Sequence, residues 1–192
     1  MSKPEIWPLL EEETLQDCRI FNVVRARARS PRTGRPHDFY RIESVDWVNV
    51  VPLTPDDQVV MVRQFRHGSR EVTLEIPGGM VDPGEEPAAA AARELLEETG
   101  YRAGDVVSLG RVSPNPALFD NRVHTFLATA CTRVAEIANE GAEETRVELL
   151  ARGELLERVR AGDVDHALVI AGLYWWELAR GLPGARQDGG ER

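Results

Sequence analysis

Four charged side chains that could act together lie within six positions of the chain: Arg93, Glu94, Glu97 and Glu98. They end an alanine-rich stretch whose composition predicts a helix over about Glu86–Thr99. Residues three and four apart share one face of a helix, so the three glutamates would lie on one arc. Clustered carboxylates repel one another unless a cation neutralises them. The pattern therefore indicates either a solvated charged face or a cation site.

The loop before this helix, "PGGMVDPGEE", brings backbone close to the same arc. Gly78 and Gly79 leave their carbonyl groups unobstructed by side chains. Hard oxygen ligands with several negative charges suit Mg²⁺ or Mn²⁺ rather than zinc. Such a cation usually takes a few carboxylates together with substrate phosphates. The segment therefore predicts a divalent-metal site that serves a phosphate compound.

The composition limits what else the protein can bind. The chain has 192 residues, of which 42% are hydrophobic, and this suits one domain, alone or with an extra small layer. A net charge of −9 argues against a nucleic acid partner. The N-terminus lacks the apolar core of a signal peptide, and no apolar run approaches the ~18 residues that span a bilayer. Cys18 and Cys131 are expected to be buried free thiols, so we expect a cytoplasmic protein without a membrane partner.

Strands surround the acidic helix in the predicted order of elements. Periodicity and turn residues predict strands over 18–28, 38–44, 45–54, 59–66, 71–77, 105–112, 123–134 and 145–150. Two more helices are predicted over 151–162 and 163–181, the second with Asp163 or Asp165 as its N-cap, and Gly100 is predicted to end the first helix. The expected fold is an α/β layered domain with a mixed sheet, divided into N-terminal strands over 1–50, a main domain over 51–182 and a flexible tail over 183–192.

From Gly79 onward the sequence resembles the Nudix box, G-x5-E-x7-R-E-U-x-E-E-x-G-U, in which U is a bulky apolar residue. The matching residues are Gly79, Glu85, Arg93, Glu94, Leu95, Glu97, Glu98 and Gly100. Tyr101 stands at the last apolar position, where aliphatic residues are more usual. The resemblance to Nudix hydrolases implies an α/β/α sandwich with a mixed sheet, here with an additional N-terminal antiparallel β layer.

The same resemblance implies a hydrolase that cuts the pyrophosphate bond of a nucleoside diphosphate derivative with the help of Mg²⁺ or Mn²⁺. The cation ligands that it implies are the Gly78 carbonyl, Glu94 and Glu98. It implies that Glu97 is a further ligand or a catalytic base, that Arg93 orients Glu97, and that Glu85 supports the site. Physical chemistry agrees, because such a cation neutralises a diphosphate and activates water.

The surroundings of the box resemble the branch that hydrolyses ADP-ribose and nucleoside diphosphate sugars. That branch uses extra N-terminal strands in dimerisation, which implies a homodimer here. The segment "VRQFR" resembles a strand of that branch and makes Arg63 and Arg66 candidates for substrate contact, although a surface arginine would look the same. Pro116 in "SPNPALFDN" stands about where ADP-ribose hydrolases keep a proline, but the usual glycine-rich continuation is missing, which leaves room for other nucleoside diphosphate sugars. Phe119 or Tyr40 could stack on a base or could simply pack.

A late loop, "NEGAEETRVELL", is the last candidate part of the site. In the branch that it resembles, a glutamate of this loop supplies the final metal ligand or the catalytic base. Glu143 aligns best, Glu144 is the second choice and Glu140 the third. The alternative is a polar loop without a catalytic role.

Three functions are compatible with these residues. The first is a Mg²⁺-dependent hydrolase of ADP-ribose or another nucleoside diphosphate sugar. The second is a Nudix-fold module that binds a nucleotide without cleaving it, which the intact glutamates disfavour. The third is a Nudix hydrolase of another compound, such as a dinucleoside polyphosphate, coenzyme A or an oxidised nucleotide.

Overall fold

The computed structural model describes residues 3–139, 141 and 144–181, and the chain divides into two compact units. The first unit comprises Met1–Asp46 and Ser113–Arg122. The second comprises Trp47–Val112 and the chain from Val123 onward. The tail predicted over 183–192 lies outside the described residues. The domain boundaries predicted from the sequence stay predictions.

The first unit contains a three-stranded antiparallel sheet in the order β1, β2, β3. Its strands are β1 (Leu9–Asp17), β2 (Asn22–Arg29) and β3 (Pro36–Glu43). The sequence did not predict β1, because "LLEEETLQD" is exposed along its whole length and shows no apolar alternation. The first predicted strand began too early, at Cys18, because Arg19 takes a left-handed backbone conformation with φ 68° that breaks an extended chain.

The second unit contains the remaining nine described strands. They are β4 (Trp47–Pro52), β5 (Gln58–Arg66), β6 (Glu71–Glu75), β7 (Gly78–Met80), β8 (Tyr101–Arg102), β9 (Asp105–Val112), β10 (Val123–Thr129), β11 (Thr132–Arg133) and β12 (Thr145–Ala151). One sheet has the order β7, β4, β10, β9 and is mixed, because β10 runs parallel to β4 while the other pairs are antiparallel. A second, antiparallel sheet has the order β12, β5, β6, and β8 pairs with β11.

Three helices complete the described part of the second unit: α1 (Pro87–Thr99), α2 (Arg152–Ala161) and α3 (Ala167–Gly181). The predicted end of α1 is confirmed, since Gly100 caps it with φ 74°. The predicted N-cap of α3 is wrong: the helix begins at Ala167, so His166 rather than Asp163 or Asp165 stands at the cap position. No helix in the described ranges combines the length and the apolar character needed to cross a membrane.

The core lies on both faces of the sheets, as β4 shows by its alternation. Val48 and Val50 point into a cluster that includes Ala90, Ala91 and Leu95 of α1. Their neighbours Val51 and Leu53 belong to a second cluster built with α2 and α3, whose other members are Val59, Met61, Leu74, Ile76, Leu150, Leu155, Val164, Val169, Leu173 and Trp176. The sheets are therefore covered by α1 on one face and by α2 and α3 on the other, which confirms the predicted α/β/α sandwich.

Both cysteines are free thiols, as expected. Cys131 is buried, and burial raises the pKa of its thiol to about 11, so it is inert at neutral pH. Cys18 is only half-buried. The expectation of two buried thiols was therefore wrong for Cys18, which lies between β1 and β2 rather than inside a strand.

Candidate active site

Helix α1 presents a cluster of acidic side chains around a single arginine. The Arg93 guanidinium donates through Nε and Nη2 to the two carboxylate oxygens of Glu85, each at 3.1 Å. Its Nη1 donates to Glu94 at 2.9 Å and to Glu97 at 3.1 Å. The Met80 carbonyl, in β7, accepts a further bond from Nη2 at 2.9 Å. One side chain thus ties the loop glutamate of the Nudix-like box to two glutamates of the helix.

Electrostatics in this cluster are dominated by an excess of carboxylates. One guanidinium faces three carboxylates, those of Glu85, Glu94 and Glu97. The hydrogen bonds from Arg93 hold the pKa of the Glu85 carboxyl below its ordinary value, and the Asp82 amide contributes in the same direction. The same pairing, foremost with Glu85, raises the pKa of the guanidinium. The Glu85–Arg93 pair therefore stays ionised at neutral pH, and the same guanidinium also contacts two further carboxylates.

Two glycines let the backbone of β7 approach these carboxylates. A Cβ added to Gly79 would lie 2.8 Å from Glu94 Oε2 and closer still to Oε1, so no other residue fits without moving the carboxylate. The Gly78 amide donates to Glu98 Oε2 at 3.1 Å, and Glu98 is only 3% exposed. A Cβ at Gly78 would also overlap the Val48 carbonyl oxygen. The predicted ligands Gly78, Glu94 and Glu98 are therefore brought together where α1 packs against β7.

The donor set of this region fits a hard divalent cation. Its atoms are carboxylate and backbone oxygens, without a thiolate or an imidazole among the predicted ligands Gly78, Glu94 and Glu98. Within the ranges that the structure describes, no three acidic, His or Cys side chains converge on one preformed metal position. Mg²⁺ in proteins usually takes one or two carboxylates and completes its shell with waters and substrate phosphates.

The late loop is fastened to the carboxyl end of α1 by the described residues on both sides of 140–143. The Ala138 amide donates to the Glu97 carbonyl at 2.8 Å. The Thr145 hydroxyl donates to the Glu98 carbonyl at 2.7 Å. The predicted residues Glu143 and Glu140 lie outside the described residues. Glu144, the second choice, has an exposed side chain that pairs with Arg146 at 3.5 Å.

The two candidate arginines of β5 have different partners. Arg66 donates to both carboxylate oxygens of Glu75, at 2.8 and 2.7 Å, and the Thr73 hydroxyl donates to the same carboxylate at 2.6 Å. Burial raises the pKa of the Glu75 carboxyl, but the hydrogen bonds from Arg66 and Thr73 outweigh burial and lower it overall. Arg63 instead pairs with Glu148 at 2.7 Å. Because the two arginines are three positions apart on one strand, their side chains leave opposite faces of the sheet.

Sequence reasoning missed Glu75 and Thr73, because a glutamate and a threonine in a short strand carry no motif. The register of β5 and β6 brings them to Arg66, and only the folded chain supplies that register. The predicted stacking residues belong to the first unit: Phe119 bridges Ile42 there, and Tyr40 is exposed on β3.

Comparison with known proteins identifies the family. The model of the NUDIX domain matches residues 44–171. The ADP-ribose pyrophosphatase of Bacillus subtilis (strain 168) is 33% identical over 179 residues, which cover 90% of this chain and 96% of that protein. The ADP-sugar pyrophosphatase of Mus musculus is 33% identical over 188 residues, covering 90% of this chain and 81% of that protein. A crystal structure of an ADP compounds hydrolase, 23% identical, superimposes with a TM-score of 0.82 over 94% of this chain and 98% of that chain and shares its fold. The chain belongs to the NUDIX domain family.

Proposed function

We propose that this protein is a pyrophosphatase that hydrolyses ADP-ribose or related nucleoside diphosphate sugars to a nucleoside monophosphate and a sugar phosphate, with Mg²⁺ or Mn²⁺ as its cofactor. The observation that carries the proposal is the acidic cluster around Arg93, with Glu94 against Gly79 and Glu98 on the Gly78 amide. The names of the relatives support the substrate class, since they are an ADP-ribose pyrophosphatase and an ADP-sugar pyrophosphatase.

The proposed residues have two roles: some bind the cation, and another accepts a proton from the attacking water. Glu94, Glu98 and the Gly78 carbonyl would hold the divalent cation, which when bound neutralises the diphosphate and lowers the pKa of water. Glu97 is the proposed base for the attacking water, and Arg93 holds its carboxylate in place at 3.1 Å. Glu143 is the alternative base or an additional ligand.

Arg66 is the proposed contact for the substrate's phosphates or base. Its bidentate bond to Glu75 fixes the guanidinium plane before substrate arrives, which lowers the entropy cost of binding. Arg63 and Phe119 remain weaker candidates for substrate contact. Arg63 pairs with Glu148, and its side chain leaves the face of the sheet opposite to that of Arg66.

The decisive experiment is a substrate panel. The purified protein should release a nucleoside monophosphate from ADP-ribose or another nucleoside diphosphate sugar in the presence of Mg²⁺, measured by ion-exchange chromatography. Glu98→Gln is the control that should lose this release while remaining folded. Ligand-induced stabilisation without any product would instead support the nucleotide-binding alternative. Cleavage confined to dinucleoside polyphosphates, coenzyme A or oxidised nucleotides would place the substrate elsewhere.

We also propose that the protein is a homodimer formed through its N-terminal strands. Large apolar side chains of this sheet and of the residues just before it are exposed in the single chain: Ile6, Trp7, Leu9, Leu10, Phe39 and Tyr40. In addition, β1 is an edge strand of the sheet, and such an edge can pair with another chain. Light scattering at micromolar concentration should give twice the mass of one chain, and a monomer would contradict the proposal.

We place the enzyme in the cytoplasm. The free thiols of Cys18 and Cys131 support this, since extracellular compartments favour disulfides. Fractionation of the source cells should recover the activity with cytoplasmic markers, and recovery outside that fraction would contradict the assignment.

A further inference from the structure

The carboxyl end of α1 is completed by groups from outside the helix. An α-helix leaves its last carbonyl groups without donors of its own, and these need partners when they are buried. In this protein the Ala138 amide supplies the donor for the Glu97 carbonyl at 2.8 Å, and the Thr145 hydroxyl supplies it for the Glu98 carbonyl at 2.7 Å. The second of these bonds comes from a side chain, so a single substitution can remove it.

The backbone of Thr145 is held in a sheet. It is 5% exposed and is the first residue of β12, where it pairs with Gln64 of β5 in the antiparallel ladder. The Oδ1 atom of Asn139 lies 3.0 Å from its hydroxyl oxygen. Both Asn139 Oδ1 and the Glu98 carbonyl accept from this hydroxyl, which has a single hydrogen, so the position of the donor is set by the sheet and not by Asn139.

Glu98 is consequently fixed at two points. Its carbonyl is bound by Thr145, and its carboxylate accepts from the Gly78 amide at 3.1 Å. One contact comes from β12 and the other from β7, which belong to different sheets. Glu98 is 3% exposed, with its backbone held from β12 and its carboxylate held from β7, so the carboxylate loses little conformational entropy when a cation binds.

We propose that Thr145 is a positioning residue that sets the place of the Glu98 carboxylate for the divalent cation. This rests on the proposed function of Glu98 as a cation ligand. The hydroxyl ties the last turn of α1 to the sheet of β12, β5 and β6, while the Gly78 amide, in the sheet of β7 and β4, binds the carboxylate of the same glutamate. Loss of the hydroxyl leaves the Glu98 carbonyl without this donor, so the last turn moves or admits water, and the carboxylate moves with it.

Substitutions of Thr145 can separate the effect of its hydroxyl from that of its methyl group. Thr145→Val keeps the shape and removes the donor, whereas Thr145→Ser keeps the donor and removes a methyl group. Thr125→Val is the matched control: Thr125 is fully buried in β10, and among the described residues its hydroxyl has no hydrogen-bond partner. The same chemical change there should leave the cation site undisturbed.

The test uses the full-length protein and two independent readouts. Binding of Mn²⁺ is titrated by electron paramagnetic resonance, and kcat and KM are measured on the best substrate of the panel. Residues that orient metal ligands typically contribute roughly 10–100-fold to metal affinity or activity. For Thr145→Val we therefore expect about a tenfold weaker Mn²⁺ affinity and about a tenfold lower kcat at nearly constant KM. Thr145→Ser and Thr125→Val should stay close to the wild type in both readouts.

Two results would overturn the proposal. One is wild-type Mn²⁺ affinity in Thr145→Val. The other is an equal loss of affinity in Thr145→Val and Thr145→Ser, since the methyl group and not the hydroxyl would then be responsible. If Thr145→Val does not fold, the comparison of Thr145→Ser with Thr145→Ala, which also lacks the hydroxyl, decides by the same criterion. Failure of the proposed function is seen separately, as absence of substrate cleavage by the wild type, and leaves the Mn²⁺ comparison intact.

Discussion

The second unit contains two clusters in which an arginine pairs with glutamate, and they differ in the number of carboxylates that the arginine contacts. Around Arg93, one guanidinium serves the carboxylates of Glu85, Glu94 and Glu97. At the other cluster, Arg66 donates to one carboxylate, that of Glu75, and the uncharged Thr73 hydroxyl donates to the same carboxylate. The first cluster has an excess of negative charge and the second is balanced. Charge left uncompensated by the protein is charge that a cation can compensate, so the comparison separates a cation site from a structural or substrate-orienting pair.

The proposed base Glu97 and the paired Glu75 also differ in burial, whereas the proposed ligand Glu98 is about as buried as Glu75. Glu75 has only 3% of its side chain exposed, while the Glu97 side chain is 27% exposed and open to solvent. A buried carboxylate must be paired within the protein, since an unpaired buried charge is strongly destabilising. A partly exposed carboxylate can change its partner from arginine to metal or water. The predictions below use the different balance of charge in the two clusters, from the largest expected effect to the smallest.

The largest effect is expected at the acidic cluster for Glu98→Gln. The amide can still accept from Gly78, so the fold should survive, but the charge that holds the cation is gone. Because a bound cation contributes several kcal/mol to catalysis, we expect kcat to fall by roughly 10³-fold. Steady-state kinetics with Mg²⁺ and circular dichroism measure the two properties. Full activity in a folded variant would show that Glu98 does not hold the cation.

A smaller loss is expected for Gly79→Ala. The added Cβ would collide with the Glu94 carboxylate and push it off the cation position, which should lower kcat/KM by roughly 10–100-fold. Gly153→Ala is the control, because an added Cβ there meets no atom within 4 Å and lies in α2. That control should keep its activity. Equal kinetics in both variants would mean that the contact between Gly79 and Glu94 does not matter for turnover.

Divalent cations should stabilise the folded protein by binding at the acidic cluster around Arg93 and not at the pair of Arg66 and Glu75. At Mg²⁺ concentrations ten times the Kd, the free energy of unfolding rises by about 1.4 kcal/mol. For a chain of this size, that is a rise in Tm of about 3–6 °C. Calorimetry should show this rise for the wild type and for Glu75→Gln, and no rise for Glu94→Gln. The same rise in all three proteins would place the cation away from the Arg93 cluster.

The smallest effect concerns pH and the balanced pair. The pKa of Glu75 is lowered from 4.5 in the folded protein, so its ionised form adds stability above about that pH. This contribution is lost as the pH falls through the lower folded value. Urea unfolding from pH 7 down to about 3 should therefore show Glu75→Gln less stable than the wild type at neutral pH, with the difference narrowing in acid.

The control for this titration is Glu71→Gln, an exposed residue at the start of the same strand. It should follow the wild type at every pH. A stability difference between Glu75→Gln and the wild type that does not change with pH would show that the bond to Arg66 does not depend on the charge of Glu75.

Local patterns predicted much of this architecture. The strand over 105–112 coincides with β9, the helix over about 86–99 differs from α1 by one residue, and Gly100 ends it as expected. The resemblance implied that Arg93 orients Glu97, and the two side chains do form an ion pair, because residues four apart are about one helical turn apart. These features depend on neighbours in sequence, so a period or a cap residue is enough to reveal them.

Elements without such a pattern were missed or misplaced. The strand β1 is exposed throughout and has no alternation to detect. The break at Ala130, with φ 51°, divides the predicted strand over 123–134 into β10 and β11, although alanine is not a typical residue for that conformation. Helix α3 begins at Ala167 and not after Asp163 or Asp165, although aspartate is a favoured N-cap residue.

The sequence by itself determined the acidic helix and the glycine-containing loop before it, because spacing along one chain dictates which side chains share a helical face, while the sandwich followed from the resemblance to Nudix hydrolases. Only the tertiary structure decided the partners: Glu75 for Arg66, the Glu94 carboxylate against Gly79, and the Thr145 hydroxyl on the Glu98 carbonyl. Each of these contacts joins residues that are 9 to 47 positions apart. Strand register and the packing of α1 on the sheets bring these residues together, and neither can be predicted from residues that are neighbours in sequence.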